Sequence, residues 1–250
     1  VKGGILVRRI ISVFVFTAYC LLLTGYSANA YEAASVGDGG AITGKVTFKG
    51  TPPPPTKILM AKDPEVCGTG ERIIDPVAVG GKGELKDAVI YIVGIEKGKA
   101  WKGEKFHLDQ KGCRFLPYVG VMENKKKLEV TSNDPVLHNI HTYEIVGEVR
   151  RTIFNVGQPN QGFTFEQEVK LRKSNTMKVE CDAHNFMHAW QLALENPYYS
   201  VTADDGAFKI EDIPAGSYKV KAWHPTFGEM EKDVNVTAKG KVDVEFEFKK

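Results

Sequence analysis

The sequence predicts an all-β protein built from two sandwiches. Three observations carry that expectation. Short segments alternate apolar and polar residues at period two, at least in part, as in Lys127–Thr131, Phe163–Val169 and Thr176–Glu180. No segment sustains the 3.6-residue period of a long amphipathic helix. Gly, Asn and Pro interrupt the chain at short intervals, as turns between sandwich strands require.

The first thirty residues read as a secretory signal outside the fold. Lys2, Arg8 and Arg9 form a basic start, and Ile10 to Leu23 is apolar except at Ser12 and Thr17. Ala28-Asn29-Ala30 supplies an A-x-A cleavage site. A retained anchor is the rival reading, but the apolar core is short for a span of about 20 residues. The expectation is a periplasmic or extracellular protein with no stable membrane span after cleavage, in a compartment that tolerates disulfides. The chain has 33 basic and 31 acidic residues, and the signal holds three of the basic ones. What remains is close to neutral. It shows no basic stripe or recognition motif, so nucleic acid is not an expected partner. The run Lys125-Lys126-Lys127 reads as solvated hairpin surface.

Residues 31–85 are expected to hold an N-terminal strand at 41–49, a proline-rich connector and a loop around Cys67. Four consecutive prolines, Pro52 to Pro55, cannot enter a sheet interior. Residues 86–195 form the next expected unit. It opens with Ala88–Val93, a continuous apolar run that suggests a strand buried on both faces. Residues 196–250 have a different character. Asp205-Gly206 and Pro214-Ala215-Gly216 are turn signals, and Tyr218, Val220 and Ala222 share one face of the strand between Gly216 and His224. Further strands are expected at 234–236 and 242–248. The segment 41–50 can complete this last unit.

The chemistry is concentrated in Cys181-Asp182-Ala183-His184-Asn185-Phe186-Met187, spaced C-x2-H-x2-M. A thiolate, an imidazole and a thioether within seven residues are hard to explain as packing. Upstream, Asn133-Asp134-Pro135-Val136-Leu137-His138-Asn139 can add a second imidazole. Two His, one Cys and a weak axial Met are the donor set of a mononuclear electron-transfer copper site. His138 and His141 compete for the upstream position. They are three apart, so in a strand they face opposite sides. His138 follows the turn and is chosen. Asn139, the next residue, can brace the neighbouring loop. His188 could replace Met187, whereas His107 and His224 lack companion donors nearby. With Cys181 on the metal and Cys20 in the signal, Cys67 and Cys113 remain to form a disulfide; two buried thiols are the alternative.

These two segments together, Asp134–Asn139 and Cys181-x2-His184-x2-Met187, resemble a cupredoxin with an amicyanin-like ligand loop. The resemblance covers roughly residues 86–195. It implies a Greek-key sandwich holding one type 1 copper, with His138, Cys181 and His184 equatorial and Met187 axial. Asn185 departs from the Pro that often follows the loop His in that family. Gly206-x-Phe208-x-Ile210-x2-Ile213-Pro214-x-Gly216-x-Tyr218 resembles the carboxypeptidase regulatory-like, or transthyretin-like, β-sandwich. That resemblance implies no catalysis. The combination is similar to exported bacterial proteins labelled methylamine-utilisation proteins.

The expected function is single-electron transfer between redox partners, such as a cytochrome or an oxidoreductase, with no enzymatic step. A copper chaperone or storage protein and a purely structural sandwich are the rival readings. A copper enzyme would need a second cluster of His ligands, which the spacing of the remaining four does not offer. The electron is expected to leave by the solvent edge of His184 or along Cys181 into its strand. Phe186 and Trp190 are candidates for an apolar collar around that edge; simple sandwich packing is the alternative for both and the favoured one for Trp190.

Overall fold

The computed structural model describes residues 31–74, 77–103 and 105–250, with Gly3. The expected signal lies outside the described residues apart from Gly3. Among the described residues the regular structure is strand except for one short helix, Pro64–Cys67. No helix there is long and apolar enough to cross a membrane.

Four main sheets form two sandwiches. In the first sandwich, one sheet orders the strands Thr164–Val169, Lys126–Ser132, Lys105–Gln110 and Phe115–Leu116. Its partner orders Val149–Gln158, His138–Val146, Thr176–Glu180, His188–Leu194 and Val119–Glu123. Alternation sets the inner faces. Leu108, Leu128 and Val130 from one sheet meet Ile140, Met177, Val179 and Ala189 from the other in one buried cluster. The lysine run stays at the surface, where Lys125 pairs with Glu195, Lys126 with Glu123 and Lys127 with Glu166.

The second sandwich uses both ends of the chain. One sheet orders Tyr199–Val201, Val89–Val93, Gly216–His224 and Gly228–Val236. The other orders Ala207–Ile213, Gly40–Lys49 and Lys241–Asp243, and Phe246–Lys249 continues along Gly40–Lys49. Ile42, Val46, Phe208, Ile210 and Phe246 pack against Ile90, Ile92, Val220 and Ala222. The Asp205-Gly206 turn needs its glycine twice over. Gly206 has φ +65, and a Cβ there would lie 2.5 Å from the Val46 carbonyl oxygen.

One boundary differs from the sequence expectation. The division at residue 86 groups Val89–Val93 with the unit expected to bind metal, but its ladder runs to Tyr199–Val201 and Gly216–His224. It is therefore a strand of the second sandwich. The same placement explains its unbroken apolar character. Ile90 and Ile92 face the second core. Val89 and Tyr91 join Val119, Val121, Leu192, Leu194 and Trp223 in a separate cluster where the two sandwiches meet.

Residues 31–85 are more than a connector. Beyond the prolines, Thr56–Leu59 pairs with Glu71–Ile74 as a two-stranded ribbon. The helix Pro64–Cys67 sits between them. Cys67 is joined to Cys113 by a disulfide across a separation of 46 residues. Ile58, Met60, Val66 and Ile74 pack against the first core, so this excursion covers one end of the first sandwich.

Candidate metal centre

Strand His138–Val146 begins after the Asn133-Asp134-Pro135 turn. Its alternation buries His138, Ile140 and Thr142 and leaves His141 on the other face. Strand Thr176–Glu180 buries Met177 and Val179, and Cys181, of the same parity, enters the same core at the strand's end. The chain then folds tightly. His184 N–H donates to the Cys181 carbonyl (3.3 Å), Met187 N–H to the His184 carbonyl (2.9 Å) and Cys181 N–H to the Met187 carbonyl (3.2 Å). The exposures of His138, Cys181, His184 and Met187 are 0%, 2%, 1% and 2%. These donors are therefore out of bulk solvent.

Three of the four converge. His138 Nδ1 is 3.1 Å from His184 Nδ1, and Cys181 Sγ is 3.9 Å and 3.7 Å from them. An ion about 2.0 Å from each nitrogen and about 2.3 Å from sulfur would set the nitrogens about 3.3 to 3.5 Å apart. It would set each roughly 3.5 to 3.7 Å from the sulfur, trigonal or tetrahedral. The observed triangle matches to within a few tenths of an ångström. Met187 is buried in the same cluster, with its backbone tied to both Cys181 and His184.

The partners of the opposite ring nitrogens favour one tautomer. His138 Nε2 lies 2.9 Å from Asp134 Oδ2, and His184 Nε2 lies 2.7 Å from Asp63 Oδ2. A carboxylate on Nε2 keeps the proton there and leaves Nδ1 as a lone pair. Two lone pairs then face each other beside a sulfur. That contact is stable only with one proton or one cation between them. Burial pushes the His184 imidazole below its ordinary value, although Asp63 pulls upward, and so favours the neutral ring that a metal requires. Burial raises the Cys181 thiol, opposed by backbone N–H groups of Asn139, His184 and Ala183. A bound cation would deprotonate it.

The surroundings are specific. Asn139 donates its backbone N–H to Cys181 Sγ at 3.5 Å, while its side-chain oxygen accepts from Ala183 N–H at 3.1 Å. It thus clamps the two loops together. His141 bonds to Asp182, Thr152 and Tyr143, away from the three donors. His107 pairs with Glu129 on the outer surface. His224 is buried in the second sandwich beside Phe227. His188 starts the next strand and its ring lies edge-on to Tyr118. The other group of possible metal donors among the described residues shares His138 and needs Cys113, which is already in the disulfide.

One expectation is corrected here. The His184 edge does not meet solvent. Asp63 closes it, because the 56–74 ribbon and its helix fold over the end of the sandwich. Phe186 lies 5.4 Å from His184 by ring centroids, under the guanidinium of Arg72. Trp190 is not part of a collar and packs against Trp223 and Lys178 instead. A cavity of about 330 Å³ is lined by Phe186, Met187 and His188 together with Arg72, Ile73 and Ile74 of the ribbon. Sequence reading missed Asp63, since nothing local links it to a residue 121 positions away. The role of Asp134 was findable from its place one turn-length before His138.

A family described as polysaccharide lyase family 4, domain II, matches residues 173–244, less than a third of the chain. No curated protein matches. Among solved structures, a purple cupredoxin from Nitrosopumilus maritimus is 18% identical over 36% of this chain and 99% of its own, with a TM-score of 0.30. A copper-containing nitrite reductase from Thermus scotoductus SA-01 is 15% identical over 40% of this chain and 24% of its own, also at 0.30. This chain therefore spans about a quarter of that enzyme. A reduced Cu(I) form of an amicyanin variant is 13% identical over 42% and 98%, again at 0.30. These likenesses are partial and weak.

Proposed function

We propose that this chain is an exported type 1 copper protein that carries single electrons between redox partners, and is not itself an enzyme. The observation that carries the reading is the convergence of two imidazole nitrogens and one thiol in a buried triangle. That donor set, with a Met close by, suits copper in both oxidation states. Copper held there would gain and lose one electron. His138 and His184 keep their orientation through Asp134 and Asp63, and Asn139 fixes Cys181 against the strand of His138. A site fixed by its surroundings needs little rearrangement when the charge changes. The closed His184 edge leaves two ways out, along Cys181 into strand Thr176–Glu180 or through the cavity at Met187. A cytochrome or an oxidoreductase is the kind of partner such a carrier serves.

The covered edge also favours a second reading, a copper store or chaperone, since a shielded ion is well retained. Titration with Cu(II) separates the two. A carrier gives one intensely absorbing copper per chain with a type 1 paramagnetic resonance spectrum, bleached and restored by redox cycling. The colour is lost in Cys181→Ser and His138→Ala and kept in His141→Ala. Tight but colourless Cu(I) binding supports the store. Copper uptake unchanged in Cys181→Ser would overturn both.

A further inference from the structure

The closure over His184 is built from residues far apart in sequence. Asp63 adopts a left-handed backbone, φ 48, at the start of helix Pro64–Cys67. Its carbonyl accepts the N–H groups of Val66 (3.0 Å) and Cys67 (2.8 Å). Cys67 is bonded to Cys113. Arg72 donates to the carbonyls of both cysteines, which locks the two arms of the disulfide to one guanidinium. Cys113 N–H then donates to Asp134 Oδ2 at 2.8 Å, the same oxygen that receives His138 Nε2. The disulfide thereby joins the two elements whose carboxylates hold the two imidazoles.

We propose that Asp63 is a positioning residue for the metal. Delivered by the disulfide-anchored turn, it seals the outer edge of His184 and holds the ring with Nδ1 toward Cys181. That turn then slows the release of a bound ion. This rests on the metal-centre reading above but not on electron transfer. Carboxylates behind a ligating His are worth 10- to 100-fold in metal affinity, so a release rate is a sensitive readout.

The test uses the full protein loaded with Co(II), whose thiolate charge-transfer band reports the Cys181 bond and which mild reductants leave unchanged. Loss of the band is followed after adding excess EDTA. Release from Asp63→Ala is expected at least roughly tenfold faster than from the parent. Asp63→Asn, which keeps an acceptor oxygen, restores most of the difference. Prior reduction of Cys67–Cys113 should speed release from the parent by a similar factor and add little in Asp63→Ala. In proton spectra of the Co(II) form, the His184 Nε2–H should be protected from solvent exchange in the parent and lost in Asp63→Ala. A parent that shows the thiolate band, with equal release rates and equal Nε2–H protection in Asp63→Ala, overturns the role of Asp63 and leaves the metal centre standing. Absence of the band in the parent overturns the metal centre and the proposal with it.

Discussion

Removing the Cys67–Cys113 bond should cost a large share of the stability that a domain of this kind has. The bond spans 46 residues and links the ribbon over the candidate metal site to the first sandwich. Confining a loop of that length in the unfolded chain is worth about 4 kcal/mol at 25 °C in the chain-entropy treatment. A whole domain is typically stable by about 5–15 kcal/mol, so the loss is large. Cys67→Ala with Cys113→Ala avoids placing hydroxyls where both sulfurs are buried. The assay is urea unfolding of the metal-free protein, which keeps the cross-link apart from metal binding. The midpoint should fall, and the urea dependence should steepen slightly as the unfolded chain expands. Mild reduction of the parent should reproduce the shift. A loss below about 1 kcal/mol would refute the loop-entropy reasoning, because the cross-link would then not be constraining the unfolded chain as its loop length requires.

Other expectations follow from individual contacts. Burial lowers His224 to about 4, so the unfolded chain binds a proton there that the folded chain refuses. Stability should therefore fall as pH drops from the ordinary imidazole value toward 4, by up to about 3 kcal/mol, and level off below. Thermal melts of His224→Phe across that window should lose this slope whatever their absolute midpoint; an unchanged slope would refute it. Glu144 is buried and accepts the N–H groups of Arg172, Lys173 and Ser174, which outweigh burial and hold its carboxyl below the ordinary range. Glu144→Ala should cost about 1–3 kcal/mol near neutrality, and the deficit should shrink as acid protonates the parent's carboxylate. Leu192 is fully buried in the cluster between the sandwiches. Leu192→Ala should cost about 2–5 kcal/mol and broaden or split the urea transition, because the seam couples the two halves.

Much of this molecule was legible in its sequence. The period-two segments became strands, and Met177 and Val179 give Cys181 its inward parity. The apolar run at 88–93 was read as doubly buried, and Val89 to Ile92 are buried on both faces. Its neighbours could not be read, since apolar character shows how much water a strand avoids and not which ladder it joins. The Cys67–Cys113 pairing followed from counting thiols in a chain expected to be exported. Strand alternation allowed only one of His138 and His141 to face Cys181, and it is His138 that lies beside Cys181 and His184. The cover was not legible. Asp63 carries no local signal, because its role depends on a disulfide and a ribbon that bring it 121 residues along the chain to His184.

X-ray absorption at the copper edge, on protein loaded with one copper and measured oxidised and reduced, gives the sharpest check on the centre. Two nitrogens and one sulfur should surround the ion in both states, with distances that barely change on reduction. A shell of nitrogen and oxygen alone, or the loss of an imidazole on reduction, would contradict a buried triangle held by Asp63, Asp134 and Asn139.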